Sequence, residues 1–414
     1  MKILILGHTI PEPTTTAAGS RMLQLIALFQ EEGYTIHFAT SALQNPRSID
    51  LNSIDVTLDI IQLNHSSFDS YITDLGPDVV LYDRFVIEEH YGWRVAQCCP
   101  SALRILDTED LHFLRKAREL SIKSSGDLSS VDLYTDATKR EIASIMRCDL
   151  SLIISSYEMN LLTETFCISN SILHYLPFML EESPKFPELK SFDEREGFMT
   201  IGNLFHAPNI DSVLYLKKYI WPEIRKQLPT VSLSIYGNYA PQQINELHNE
   251  KEGFLIKGWA SSVKEVMIAA KVCLAPLRFG AGLKGKLLDA MIHGAPAVTT
   301  SIGGEGLYGD KKLEFLANTT EEIIQLSVSL YTSESRSKKS QEIGLQVLQD
   351  NYLKSDHAPK FKNLISTLMN SIGVHRKQNI MGQLLQHQGR RRDTATASRR
   401  LAQWLHRYPA GHFL

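Results

Sequence analysis

Lys284, Lys286 and Asp289 fall within six residues in the run VCLAPLRFGAGLKGKLLDAMIHGAPAVTTSIGGEG, Val272 to Gly306. Gly280, Gly282 and Gly285 precede a stretch with Leu287, Leu288, Met291 and Ile292 at helical spacing. That spacing predicts a helix over Lys286–His293, stopped by Gly294 with Pro296 close behind. A helix N-terminus presents unpaired amides and a partial positive charge. Glycines let such a backbone approach an anion, and Lys284 or Lys286 adds a full charge. Asp289 lies three residues after Lys286, so the two share a helix face. A cation for phosphate beside a carboxylate for hydroxyls suits a sugar nucleotide.

The same glycines spell GxGxxG. A nicotinamide-binding turn has an acid at the end of the next strand. Here that strand ends in Thr299-Thr300-Ser301, and Glu305 comes too late. A phosphate-loop kinase needs Ser or Thr after Gly-Lys, and Leu287 stands there. An NAD(P)-dependent oxidoreductase and a binding protein without turnover stay open as alternatives.

The elements that must position this run alternate along the chain. Lys2–Leu6 reads as a buried strand, Met22–Gln30 as a helix and Tyr34–Thr40 as a second strand. This βαβ opening predicts an α/β domain with a parallel sheet. Gly19 and Arg21 follow the first strand, at the edge where such sheets bind ligands. Further strands are predicted over Ile54–Leu63, Val79–Tyr82, Leu103–Leu106 and Asp149–Ser155. Asp83 and Arg84 follow one strand end; Asp107, Glu109, Asp110 and His112 follow another. His112 with a carboxylate nearby suits acid–base work or holding a hydroxyl. The same acids also suit capping of the helix that starts there. Ser155-Ser156-Tyr157-Glu158 has the pattern of a capping box.

Residues 181–197 are rich in charge and proline without apolar periodicity, a linker pattern. It separates a first domain, 1–180, from a second, 198–350, with 351–414 as C-terminal helices and a basic tail. In the second domain, strands over Phe198–Ile201, Val231–Tyr236, Phe254–Lys257, Val272–Leu277 and Ala297–Thr300 place Gly202, Gly237 and Gly258 just past strand ends. Glycine turns on one sheet edge build a nucleotide cleft. Helices are expected over Asp211–Ile220, Val263–Ala270, Ile323–Leu330, Ser337–Asn351 and Lys360–Ile372. In the tail, Leu401, Trp404, Leu405 and Tyr408 recur at helical spacing beside Arg390–Arg392, Arg399 and Arg400. That pattern fits a helix packed on the body, or attachment to an anionic membrane surface.

With 414 residues, 43% hydrophobic and 21% charged, the chain fits a globular protein of two domains. A formal net charge of -3 gives nucleic acid no global attraction. The five cysteines include no CxxC, so buried free thiols are expected rather than disulfides or zinc. MKILILG is too short for a secretion signal, and no apolar run spans a membrane. A cytoplasmic protein, peripheral at most to the inner membrane face, is expected.

The run RFGAGLKGKLLDAMIHGAPAVTTSIGGEGL resembles the donor-site segment of GT-B glycosyltransferases of family 4, the glycosyl transferases group 1 type. IGNLFHAPNIDSVLYL, IYGNY and IKGWA follow the order of that family's exopolysaccharide branch, and ILDTEDLHFLRKARE resembles its acceptor domain. The resemblance implies two Rossmann-like domains facing a cleft, donor on the second and acceptor on the first, with a helical C-terminal extension. It implies retaining transfer from a nucleotide-diphosphate sugar to a saccharide or lipid-linked acceptor, for cell-surface polysaccharide or glycoconjugate synthesis. No metal and no cofactor beyond the donor are expected. Asp289 matches the second acid of the family's Glu-x7-Glu pair, and Lys286 or Lys284 the cation that meets the leaving diphosphate. Gly202, Asn203, Gly237, Gly280, Gly282, Leu283, Thr300 and Glu305 would line the donor. His112 or Asp107 would reach the sugar, and Gly19, Arg21, Asp83 and Arg84 the acceptor. The first acid of the pair is absent: Ala281 occupies its position.

Overall fold

In a computed structural model that describes residues 1–182, 190–309 and 315–387, twelve strands form two all-parallel sheets. The first contains β1 (Lys2–Leu6), β2 (Thr35–Thr40), β3 (Val56–Ile60), β4 (Val79–Asp83), β5 (Leu103–Asp107), β6 (Leu150–Ile153) and β7 (Leu173–Tyr175), in the order β3-β2-β1-β4-β5-β6-β7. The second contains β8 (Phe198–Ile201), β9 (Leu233–Tyr236), β10 (Phe254–Gly258), β11 (Val272–Ala275) and β12 (Ala297–Thr299), in the order β10-β9-β8-β11-β12. Helices cover both faces, which is why Ile3–Leu6, Val79–Tyr82 and Val272–Ala275 are buried throughout and read as unbroken apolar runs. The strand order reverses between β1 and β4 and between β8 and β11. Ligand crevices form outside the carboxyl ends of strands at such points. The two-domain α/β architecture expected from the sequence is the one observed.

Several elements shift from the sequence expectation for identifiable reasons. The strand read over Ile54–Leu63 shortens to Val56–Ile60, because Leu51–Ile54 forms a 3₁₀ turn capped by Asp50 and closed by Asp55 at φ 57. The helix read over Asp211–Ile220 starts earlier, at Ala207, and widens into a π turn over Leu216–Ile220. Pro222, at the start of the next helix, lacks the amide that would continue regular bonding. Four cysteines avoid full exposure and all five are free, but Cys167 is exposed, against the expectation of burial.

The helix Lys354–Gln378 extends the one expected over Lys360–Ile372 and kinks at Ser371. Its buried face, Ala358, Phe361, Ile365 and Leu368, packs with Ile3, Phe29 and Tyr34 of the first domain. Phe361 meets Phe29 edge to face at 5.7 Å. The chain therefore crosses back from the second domain to the first. The part of the 181–197 segment that is described is anchored: Arg195 is buried and donates to the carbonyls of Met267, Ala270 and His293. The basic tail and its apolar stripe lie outside the described residues. No described helix is long and apolar enough to cross a membrane.

Candidate active site

On the second domain, the site is built at the ends of β8 and β11. Gly202 follows β8, and Gly237 packs so tightly against it that a Cβ at 237 would overlap the Gly202 carbonyl oxygen. Asn203 holds the next turn, its Oδ1 accepting from the Phe205 amide at 2.8 Å. Beyond β11, the turn Phe279–Lys284 leads into the helix Gly285–Ile292, whose first turn no side chain caps. Lys286 Nζ donates to Asn209 Oδ1 at 2.7 Å, and Asn209 Nδ2 donates to the Asn203 carbonyl at 2.9 Å. Asn209 thus ties the ammonium to the Gly202 turn. Nothing in the run HAPN marks Asn209 for this role.

Burial pushes the Lys286 ammonium down to about 8 and the Asp289 carboxyl up to about 6. The Asp289 carboxyl, unlike its carbonyl, which accepts from the His293 amide at 3.0 Å, makes no hydrogen bond among the described residues. Lys284 Nζ folds back onto its own turn, donating to the carbonyls of Ala281 (3.0 Å) and Gly282 (2.7 Å). Burial lowers it to about 8 against the pull of Glu305 and Glu158. Leu283 is buried in an apolar cluster with Leu287 and Leu288. Thr300, expected at the donor, spends its hydroxyl inside the protein: it donates to the Leu277 carbonyl at 2.5 Å and caps the amide of Gly303.

On the first domain, Arg21 and Asp107 form a fully buried bidentate pair at 2.7–3.0 Å, and Arg21 also donates to the Leu176 carbonyl. Both were read as site residues; the structure assigns their charges to one another. Gly19 allows the loop to fold onto its helix, since a Cβ there would lie 2.6 Å from the Glu12 backbone. Asp83 accepts from the His8 amide, and Arg84, at φ 73, donates its amide to the Asp107 carbonyl. His112 Nε2 lies 3.3 Å from Asp110, which Arg115 also holds at 2.7 Å. Burial brings the imidazole down to about 4, so it is neutral at pH 7.

The capping expected of Glu109 and Asp110 is not observed. Glu141 accepts from the amides of His112 and Phe113, and Glu158 from that of Leu111. Glu158 is likewise not the capping-box acid of its own helix. Its Oε1 also accepts from the Gly282 amide at 2.8 Å, across the cleft. Burial pushes it up to about 7.

The two halves meet at the glycine turn. Arg118 of the first domain donates to the Gly280 carbonyl (2.8 Å) and to both oxygens of Glu305 (2.7 and 2.8 Å). Glu305, expected beside the donor, is thus paired across the domains. Gly282, at φ 64, sits where a Cβ would lie 2.8 Å from Asp110 Cβ. Ala281, 7% exposed, packs into an apolar cluster of the first domain. Further along, Tyr239 donates to Glu12 and Trp259 to the Thr14 carbonyl, with Arg47 stacked 3.6 Å over the indole. Arg118 and Glu141 carry no local signal, and Glu158 only that of a helix cap, because their partners lie 28 to 187 residues away.

Comparison with known proteins bears on the fold and on the second domain. Residues 195–333 match the family model described as Glycosyl transferases group 1, which covers the second sheet and its helices. A protein from Klebsiella pneumoniae, described as an uncharacterised 44.6 kDa protein in the cps region, is 29% identical over 131 residues. That match spans 30% of this chain and 34% of the relative. Sucrose-phosphate synthase from Thermosynechococcus elongatus superimposes with a TM-score of 0.70 at 14% identity, over 90% of this chain and all of the other. HepE from Anabaena, solved with UDP and glucose, gives 0.63 at 11% identity over 89% and 100% of the two chains. WaaG, a glycosyltransferase involved in lipopolysaccharide biosynthesis, gives 0.60 at 12% identity over 88% and 99%. The chain has the GT-B fold, and its second domain is of the glycosyl transferases group 1 type.

Proposed function

We propose that the protein transfers a sugar from a nucleotide-diphosphate sugar to a saccharide or lipid-linked acceptor, with retention, in the synthesis of a cell-surface polysaccharide or glycoconjugate. The observation that carries this is Lys286, held by Asn209 against the Gly202 turn, beside a helix N-terminus that no side chain caps. The diphosphate lies at the N-terminus of the helix Gly285–Ile292, with Lys286 and Lys284 against its charge. Asp289 accepts from hydroxyls of the donor. The lysines neutralise the leaving group, so transfer runs without a metal ion, and a chelator leaves the rate unchanged. The cps-region relative and WaaG support a surface polysaccharide as the product class, and the UDP and glucose bound by HepE support the donor class.

A second reading is nucleotide-sugar binding without transfer. Ala281 favours it, because a methyl group stands where the sequence resemblance implies a carboxylate. Incubation with UDP-, GDP- and ADP-hexoses, with NAD(P) as a control, separates the two. Binding with release of nucleoside diphosphate supports transfer, and binding without release supports the second reading. Failure to bind any of the nucleotide sugars contradicts both.

A further inference from the structure

Four titratable groups cluster at the end of β5, and three of them, Asp107, Asp110 and His112, are engaged with protein partners. Asp107 is held by Arg21, and His112 by Asp110. Glu109 is different. Its Oε1 is buried and has no hydrogen-bond partner among the described residues. Its backbone is left-handed, at φ 63, a conformation that is strained for a residue with a side chain and that clusters at functional sites. Its carbonyl lies 3.3 Å from the point a Cβ on Gly282 would occupy, so it stands against the turn of the opposite domain. There Ala281 offers only a methyl group.

We propose that Glu109 supplies, from the first domain, the carboxyl group that hydrogen-bonds hydroxyls of the bound donor sugar, in place of the acid absent at position 281. This rests on the nucleotide-sugar reading above. A buried carboxyl oxygen without a partner is costly, and a sugar hydroxyl, which both donates and accepts, satisfies it. The charged groups around Glu109 are Asp107, Asp83, Arg84 and Arg21. Burial, then Asp107, pushes its carboxyl up to about 8, so at pH 7 it holds a proton to donate.

The test is titration calorimetry with UDP, GDP and ADP and with their glucose conjugates, on wild type, Glu109→Ala and Glu109→Gln. Wild type binds at least one conjugate more tightly than its free nucleotide. E109A keeps the free nucleotide within about twofold and weakens the conjugate about tenfold or more. E109Q, which also donates and accepts, recovers most of that loss. If E109A does not fold, Glu109→Asp takes its place with the same expectation. Unchanged conjugate affinity in the variant, or equal loss for conjugate and free nucleotide, overturns the role of Glu109 alone. No binding of any conjugate by wild type overturns the nucleotide-sugar reading, and this role with it.

Discussion

At the level of single residues, the cleft is built from charges held out of water. Lys284 and Lys286 are both brought down to about 8 by burial. Below that value they carry the charge that a diphosphate needs; above it they lose it. Affinity for the free nucleoside diphosphate is therefore expected to fall as pH rises through about 8, and calorimetry at pH 7 and pH 9 checks this. Equal affinity at both contradicts it. Asp289→Asn tests the carboxyl expected to meet the donor's hydroxyls. The amide still accepts one hydrogen bond but has lost its charge, so the expected cost is about 1.5–3 kcal/mol of donor binding, the value of a hydrogen bond to a charged group. Lys286, Asp289 and the glycine turn were legible because they sit within ten residues and obey local rules. Asn209, Glu158 and Arg118 were not, because their partners come from distant segments. Thr300 and Glu305 were read as ligand groups for their place in the run, yet each has found a protein partner.

At the scale of elements, parallel strands were readable because burial on both faces leaves continuous apolar runs. β7, only Leu173–Tyr175, was not, since a three-residue strand with a histidine carries no such run. The helix Lys354–Gln378 was read too short because its first turns are polar and include Pro359. Its docking on the first domain has a polar clamp. Arg376 donates to both oxygens of the buried Asp149 at 2.7 Å and to the carbonyls of Pro100 and Ala102. Burial works against the Asp149 charge, but Arg376 and Arg104 hold its carboxyl below the usual value. That stability is present above the unfolded value of about 3.9 and is lost as pH falls through the folded one. Arg376→Ala is expected to destabilise the protein by about 3 kcal/mol, the low end for breaking a buried pair, because Arg104 still faces Asp149. Urea unfolding at pH 7 measures it, and a loss under about 0.5 kcal/mol, the range of an ordinary surface substitution, contradicts the clamp.

At the scale of the whole molecule, two sheets present their carboxyl edges to one another and the glycine turn of one is docked into the other. The GT-B class was legible in the order of motifs along the chain. How the halves touch was not, because a cross-domain ion pair leaves no local pattern. Arg118 is the centre of that contact, binding Glu305 and the Gly280 carbonyl. Domain closure around a substrate excludes water from the reaction. Arg118→Ala is expected to loosen it, giving a larger radius of gyration by small-angle scattering and slower turnover, with the melting of each domain little changed. An unchanged radius contradicts a role for Arg118 in holding the halves together.

Lys286 is expected to stabilise a diphosphate leaving group at this cleft. The direct measurement is the rate of nucleoside diphosphate release from the preferred nucleotide sugar by wild type and Lys286→Ala, with folding verified for both. A loss of about 100- to 1,000-fold, or ~3–4 kcal/mol of barrier, is expected, as for removal of one preorganised stabilising group. Equal rates for the two proteins would contradict it.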